Sequence, residues 1–196
     1  MDYNASAVKY LFWFVETRET EKLLEEYSVE RVKEKVIDKN LYQQKSRSRI
    51  VSEFGCILGR LQFLPDEIRK MLNNTDINTA KIITFIGCMG SDRLLFDLMY
   101  ELYRDKVFLG ETELTNADLN IFFKNKQDQN EKVAELTDGA IKKLKQVYCR
   151  YMMEAGLLKG SAYHREIAKP YIDQQLAMML KKNGMEKYLA AITGDN

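Results

Sequence analysis

Two runs of basic side chains are the strongest chemical signal in this sequence. From Lys39 to Arg49 the chain carries Lys39, Lys45, Arg47 and Arg49 and no acid. From Lys142 to Lys169 it carries Lys142, Lys143, Lys145, Arg150, Lys159, Arg165 and Lys169 against Glu154 and Glu166. Cations clustered in this way neutralise phosphates and release their counterions, and a neutral amide among them, Gln146, can reach a base edge. Charge runs are also ordinary solvated faces, so spacing must decide. The net charge is only +1 and the pI about 7.6, with Glu101 to Asp138 leaning acidic. The chain is polarised rather than basic.

The groups that could break or make bonds are few. His164 is the only histidine, which removes two-histidine metal sites and histidine relay pairs. In its polar surroundings it reads as a surface or phosphate-contacting side chain. Gly87-Cys88-Met89-Gly90-Ser91 forms a glycine-containing turn without the lysine and spacing of a phosphate loop. Glu21 and Glu25 share a helix face, as solvated carboxylates usually do. Cys56, Cys88 and Cys149 lie far apart on apolar segments, and their odd number suits reduced thiols in the cytoplasm. No catalytic residues, metal or cofactor are expected, and the reading is a protein that is not an enzyme.

The elements that must position the basic residues are helices. With 45% hydrophobic and 30% charged residues and only 2 prolines, the chain can build a core and has little to interrupt helical periodicity. Val8, Leu11, Phe12 and Val15 predict a first helix from about Ala5 to the mid-twenties, with Trp13 and Phe14 widening its buried stripe. Ser28 caps a second helix, and a third begins at Ser46 with Ile50, Phe54, Ile57 and Leu61 inward. Pro65, Asp76 and Ser91 open the next three, and Gly110 closes the last of them. Thr115 to Asp118 reads as a capping box. The polar run Asn125 to Asn130 reads as a loop and divides the chain into subdomains at 1–126 and 127–196. A helix from about Glu131 to Glu154 ends at Gly156, and Pro170 opens the last major helix before Asn183-Gly184 and a short tail helix. The densest apolar runs, Tyr10 to Val15 and Ile82 to Met89, fall far short of the ~20 residues of a membrane span.

Two helices carry the basic residues outward. On a wheel of 100° per residue, Lys45, Arg49, Ser52, Cys56, Gly59 and Arg60 oppose Ile50 and Phe54. That face, with Arg47 beside it, could meet a phosphodiester chain, or another helix could pack on its small residues. In the helix ending at Glu154, Lys143, Gln146 and Arg150 oppose the stripe of Ile141, Leu144, Tyr148 and Met152, with Lys142 and Lys145 flanking. A short hairpin follows, Leu157 to Lys159 against Tyr163 to Ile167, so helix and hairpin resemble the recognition helix and wing of winged-helix proteins. Lys159 sits in that wing. The fold expected is all-α or nearly so: a compact helical protein with two helical subdomains, winged-helix-like elements and at most a short β-hairpin.

Several stretches together resemble the small A component of bacteriophage-exclusion (BREX) defence systems, the BrxA-like family. They are Asp38-Lys39-Asn40-Leu41 followed by Lys45-Ser46-Arg47-Ser48-Arg49-Ile50, then Gly59-Arg60-Leu61, Leu94-Leu95-Phe96-Asp97, and Met153-Glu154-Ala155-Gly156-Leu157-Leu158. The order covers most of the chain. The resemblance implies a cytoplasmic accessory protein without catalytic residues that binds double-stranded DNA and works beside the methyltransferase and ATPase components of the same system. It assigns no site residues; the DNA-binding candidates Lys45, Arg47, Arg49, Lys142, Lys143, Gln146, Arg150 and Lys159 rest on the helical wheels. The alternative is a protein–protein adaptor that organises the defence complex without touching nucleic acid.

Overall fold

Helix ends fall where the sequence supplies caps. The computed structural model describes residues 2–195. After a 3-10 turn at Ser6–Lys9, the helices are α1 Phe14–Leu24, α2 Val29–Asp38, α3 Arg47–Phe63, α4 Asp66–Asn74 and α5 Ile77–Ser91. A continuous helical run follows, α6 Arg93–Asp97, a π-helical segment Leu98–Tyr103 and α7 Arg104–Phe108, and then α8 Asn116–Gln129, α9 Glu131–Ala134 and α10 Asp138–Glu154. A hairpin of β1 Leu158–Gly160 and β2 Arg165–Ile167 leads to α11 Gln174–Lys182 and α12 Glu186–Thr193. The side chains of Ser28, Ser46 and Asp76 accept from backbone N–H groups two or three residues ahead, and Thr115 and Asp118 complete a reciprocal capping box. The expected nearly all-helical fold with one short hairpin is what the described residues form.

One apolar core joins the chain from Ala7 to Ile192. At its centre α5 is buried along almost its whole length from Ile82 to Gly90 and packs on α3 and α4. Gly90 is required there, since a Cβ would run into the Phe63 ring. Tyr103, Tyr148 and Tyr151 are among the largest fully buried side chains, and each spends its hydroxyl on a hydrogen bond: Tyr103 to the Leu157 carbonyl at 3.1 Å, Tyr148 to Asp92 at 2.8 Å, Tyr151 from Arg60 at 3.1 Å.

Several local expectations change. The N-terminal stripe is not one helix: Tyr10 is extended, residues 11–12 are not helical, Trp13 is left-handed (φ 52°), and helix begins only at Phe14. Arg60 is the reason. Its Nη1 donates to the carbonyls of Leu11 at 3.0 Å and Phe12 at 2.9 Å, which holds this stretch away from helical geometry and turns Leu11 and Val15 to solvent while Phe12 stays buried. The polar run at 125–130 is not a loop, because α8 continues through it to Gln129. Lys126 is buried in that turn with Asp97 at 2.8 Å and Glu101 at 2.5 Å, so its charge points into the molecule. Asp92 rather than Ser91 caps α6, Thr137 opens α10 separately from α9, and Asp173 rather than Pro170 starts α11.

The hairpin is reinforced from outside. Leu158 pairs with Ile167, Lys159 with Glu166 and Gly160 with Arg165, and residues 112–114 add a third rung set through Leu114 N to Arg165 O at 3.0 Å and Ile167 N to Thr112 O at 2.8 Å. Buried Arg165 staples this corner to the start of α8, donating to the Leu114 and Ala162 carbonyls and to Asn116 Oδ1.

Candidate nucleic-acid interface

The outer stripe of α10 is set by its inner one. Ile141, Leu144, Val147, Tyr148, Tyr151 and Met152 are buried, which leaves Lys142, Lys143, Gln146 and Arg150 exposed along roughly 12 Å of helix. The hydrogen bonds of Tyr148 to Asp92 and Arg60 to Tyr151 fix the helix's rotation, so this stripe is rigidly presented. Beside it, α8, α10 and the hairpin enclose a groove of about 920 Å³. Lys142, Gln146 and Arg150 line the groove; Lys143 stands on the outer side of the helix, and Lys159 is exposed on β1 outside it. Arg150 is partly committed, with Nε 3.0 Å from Glu154 on the next turn.

Lys145 and Tyr163 also line this groove. Lys145 bridges to α8, its Nζ donating to Asn120 Oδ1 at 2.6 Å above the Phe123 ring. Burial holds its ammonium below the usual lysine range, although Asp138 opposes that. Tyr163 is 92% exposed at the hairpin tip, where a turn closed by Ser161 N to His164 O at 2.8 Å projects it over the groove. The sequence places Tyr163 in the second strand of the hairpin, but β2 begins only at Arg165, which leaves Tyr163 in the turn. His164, read as a surface or phosphate-contacting group, is exposed between two carboxylates, Glu113 at 3.0 Å and Glu166 at 3.3 Å.

The other nominated residues form a separate face. Lys45, Arg47 and Arg49 are exposed around the start of α3, and Arg49 lines a shallow groove of about 440 Å³ with Lys9, Tyr10 and Trp13. Ser52 and Gly59 are open to solvent, and a Cβ built at Gly55 or Gly59 would meet nothing within 4 Å, so among the described residues nothing packs on the two glycines, whereas Cys56 between them is partly covered. Arg60 departs from the wheel: it is 3% exposed and faces inward. Among the described residues no group of three or more histidine, cysteine, aspartate or glutamate side chains could hold a metal ion. The three cysteines are free; burial pushes the Cys88 thiol up to about 12, which makes it inert. Among the described residues no helix is long and apolar enough to cross a membrane.

The BrxA family model matches residues 1–184. The BREX protein BrxA of Bacillus cereus (strain H3081.97) is 40% identical over 164 residues, spanning 84% of this chain and 82% of that one. The crystal structure of an uncharacterized protein from Magnetospirillum magneticum superposes with a TM-score of 0.82 at 19% identity, covering 98% of this chain and 99% of the other. That last likeness shows a shared fold.

Proposed function

The chain belongs to the BrxA family, a component of BREX phage-defence systems, and from that premise we propose that it binds double-stranded DNA without catalysing a reaction. The observation that carries this reading is the rigid stripe of Lys142, Lys143, Gln146 and Arg150 beside a groove edged by Lys145 and Tyr163. The lysines and Arg150 meet phosphates, and Gln146 faces the bases. The order of elements supports this: the helical run 93–108, a bridge at Glu113, α8, α10 and the hairpin follow one another as helices and strands do in winged-helix domains. On that analogy α10 is the recognition helix and the hairpin, with Lys159, the wing. The free thiols suit the reducing cytoplasm, where the methyltransferase and ATPase components would be its neighbours.

The test is a salt series of duplex binding. Lys142→Ala with Lys143→Ala weakens binding to every duplex sequence and flattens the log–log salt slope by about 0.9 for each phosphate left without its cation. Gln146→Ala alters sequence preference and leaves the slope alone, since an amide releases no counterion. The double variant binding as tightly as the parent across the series would sink the reading.

A second reading, an adaptor that organises the defence complex without nucleic acid, draws on one observation. Phe108 and Leu109 stand side by side at the end of α7, 62% and 69% exposed. Under it, duplex DNA shows no salt-dependent binding at all.

A further inference from the structure

Three grooves on this molecule share wall residues. The groove beside α10 has Arg150 on its wall, and Arg150 also lines a second groove of about 340 Å³ with Leu11, Trp13, Phe14 and Lys81. Leu11 and Trp13 in turn line the third groove, where Lys9, Tyr10 and Arg49 sit. The basic face of α10 and the basic start of α3 are therefore separated by a single ridge, Leu11 to Trp13.

The ridge is built at a cost. Trp13 is a bulky residue in left-handed backbone, a conformation that persists only when its surroundings impose it. Arg60 imposes it from below, through the Leu11 and Phe12 carbonyls and through its guanidinium 5.6 Å from the Trp13 ring. The result is an outward apolar edge, Leu11 at 45% exposure, with Tyr10 packed on Trp13 at 5.7 Å. Cations flank it on both sides: Lys81 and Arg150 on one, Lys9 and Arg49 on the other. Three acids border the same surface: Glu154 is paired with Arg150, Glu16 is half-buried with its carboxylate near Glu53, and Glu53 is buried and bonded by Gln44 at 2.7 Å.

We propose that the three grooves form one continuous track for a single DNA duplex, which leaves α10, crosses the Leu11–Trp13 ridge and is held beyond it by Lys9 and Arg49. The ridge lies against the sugar–phosphate backbone, and the cations on either side take its phosphates. This rests on the DNA-binding reading of α10 and extends it to the face at the start of α3.

Trp13 is the only tryptophan, so its emission reports on the ridge alone. The experiment titrates the intact protein with two duplexes, one of about 8 base pairs in a closed hairpin and one of about 20, roughly 27 and 68 Å long. The shorter matches the length of α10, roughly 25 Å. Binding is followed by anisotropy of labelled DNA and, separately, by Trp13 emission. The expected result is an emission shift with the long duplex only. Lys9→Ala with Arg49→Ala, both exposed, then flattens the salt slope for the long duplex by up to about 1.8 and leaves the short one unchanged. If the long duplex binds but either readout stays put, the track is overturned while the α10 reading stands. If the parent binds neither duplex, both fall together.

Discussion

Arg60 on α3 donates through Nη2 to the hydroxyl of Tyr151 on α10 at 3.1 Å, tying together the two helices whose outer faces carry the basic clusters. The same guanidinium reaches the Leu11 and Phe12 carbonyls through Nη1 and stands within 5.4 Å of the Tyr151 ring centre. A buried charge is met here by carbonyls, a hydroxyl and aromatic faces.

Arg60→Ala leaves two carbonyls and a tyrosine hydroxyl without their donor, at about 1–3 kcal/mol for each group that stays dry. Urea denaturation should show a loss of about 3 kcal/mol or more, while Lys45→Ala and Arg49→Ala stay within about 0.5 kcal/mol. A stable Arg60→Ala protein would mean that the N-terminal stretch does not depend on this clamp.

Two buried carboxyls give the fold an unusual pH dependence. Burial pushes Glu21 up to about 7 against the opposing pull of Arg69, whose Nε is 3.0 Å away, and it pushes Glu53 up to about 7 with the charge of Glu16 adding to it. A carboxyl whose folded value lies above its unfolded one binds a proton on folding, so stability rises as pH falls from above about 7 toward 4.5. At about 1.4 kcal/mol per pH unit, a carboxyl moved from 4.5 to about 7 gives up to about 3 kcal/mol, so the two together give several kcal/mol. Glu21→Gln with Glu53→Gln flattens that rise, and urea midpoints that fall with acid over this window would refute the account.

Lys126 occupies a buried hub. Its partner Asp97 also accepts from Tyr3 at 2.6 Å and Arg93 at 2.8 Å; burial works against the charge, but these three donors hold the Asp97 carboxyl below its usual range. Lys126→Met strands part of the Asp97 charge and should cost about 3 kcal/mol or more. Lys124→Met, on the exposed side of the same helix, should cost less than about 0.5 kcal/mol. Equal effects in thermal melts would mean that the turn at 125–130 is not held as described.

Gly160 turns the hairpin at φ 96°, and a Cβ there would strike the His164 carbonyl oxygen. Gly160→Ala should release the Ser161 amide, now bonded to that carbonyl, to fast hydrogen exchange while the amides of α5 stay protected. If the hairpin is the wing, the same variant weakens duplex binding without changing the slope contributed by Lys142 and Lys143. Unchanged exchange at Ser161 would show that the turn tolerates the side chain.

Much of this protein could be read without its tertiary structure, because the forces involved act over a few residues. Ser28, Ser46, Asp76 and Thr115 mark helix starts, and Gly110, Gly156 and Gly184 mark ends, since a cap satisfies backbone groups in its own turn and left-handed backbone favours glycine. The exposed stripe of α10 follows from the 3.6-residue period of its apolar residues in the same local way. What sequence could not settle depends on partners far along the chain. Arg60 reads as surface on a wheel, yet its acceptors lie 49, 48 and 91 residues away. Lys126 reads as loop, yet Asp97, 29 residues earlier, draws it inside. The placing of the two basic faces on either side of Trp13 is likewise a product of packing, for periodicity places side chains around one helix axis and only the core decides how separate axes lie against each other.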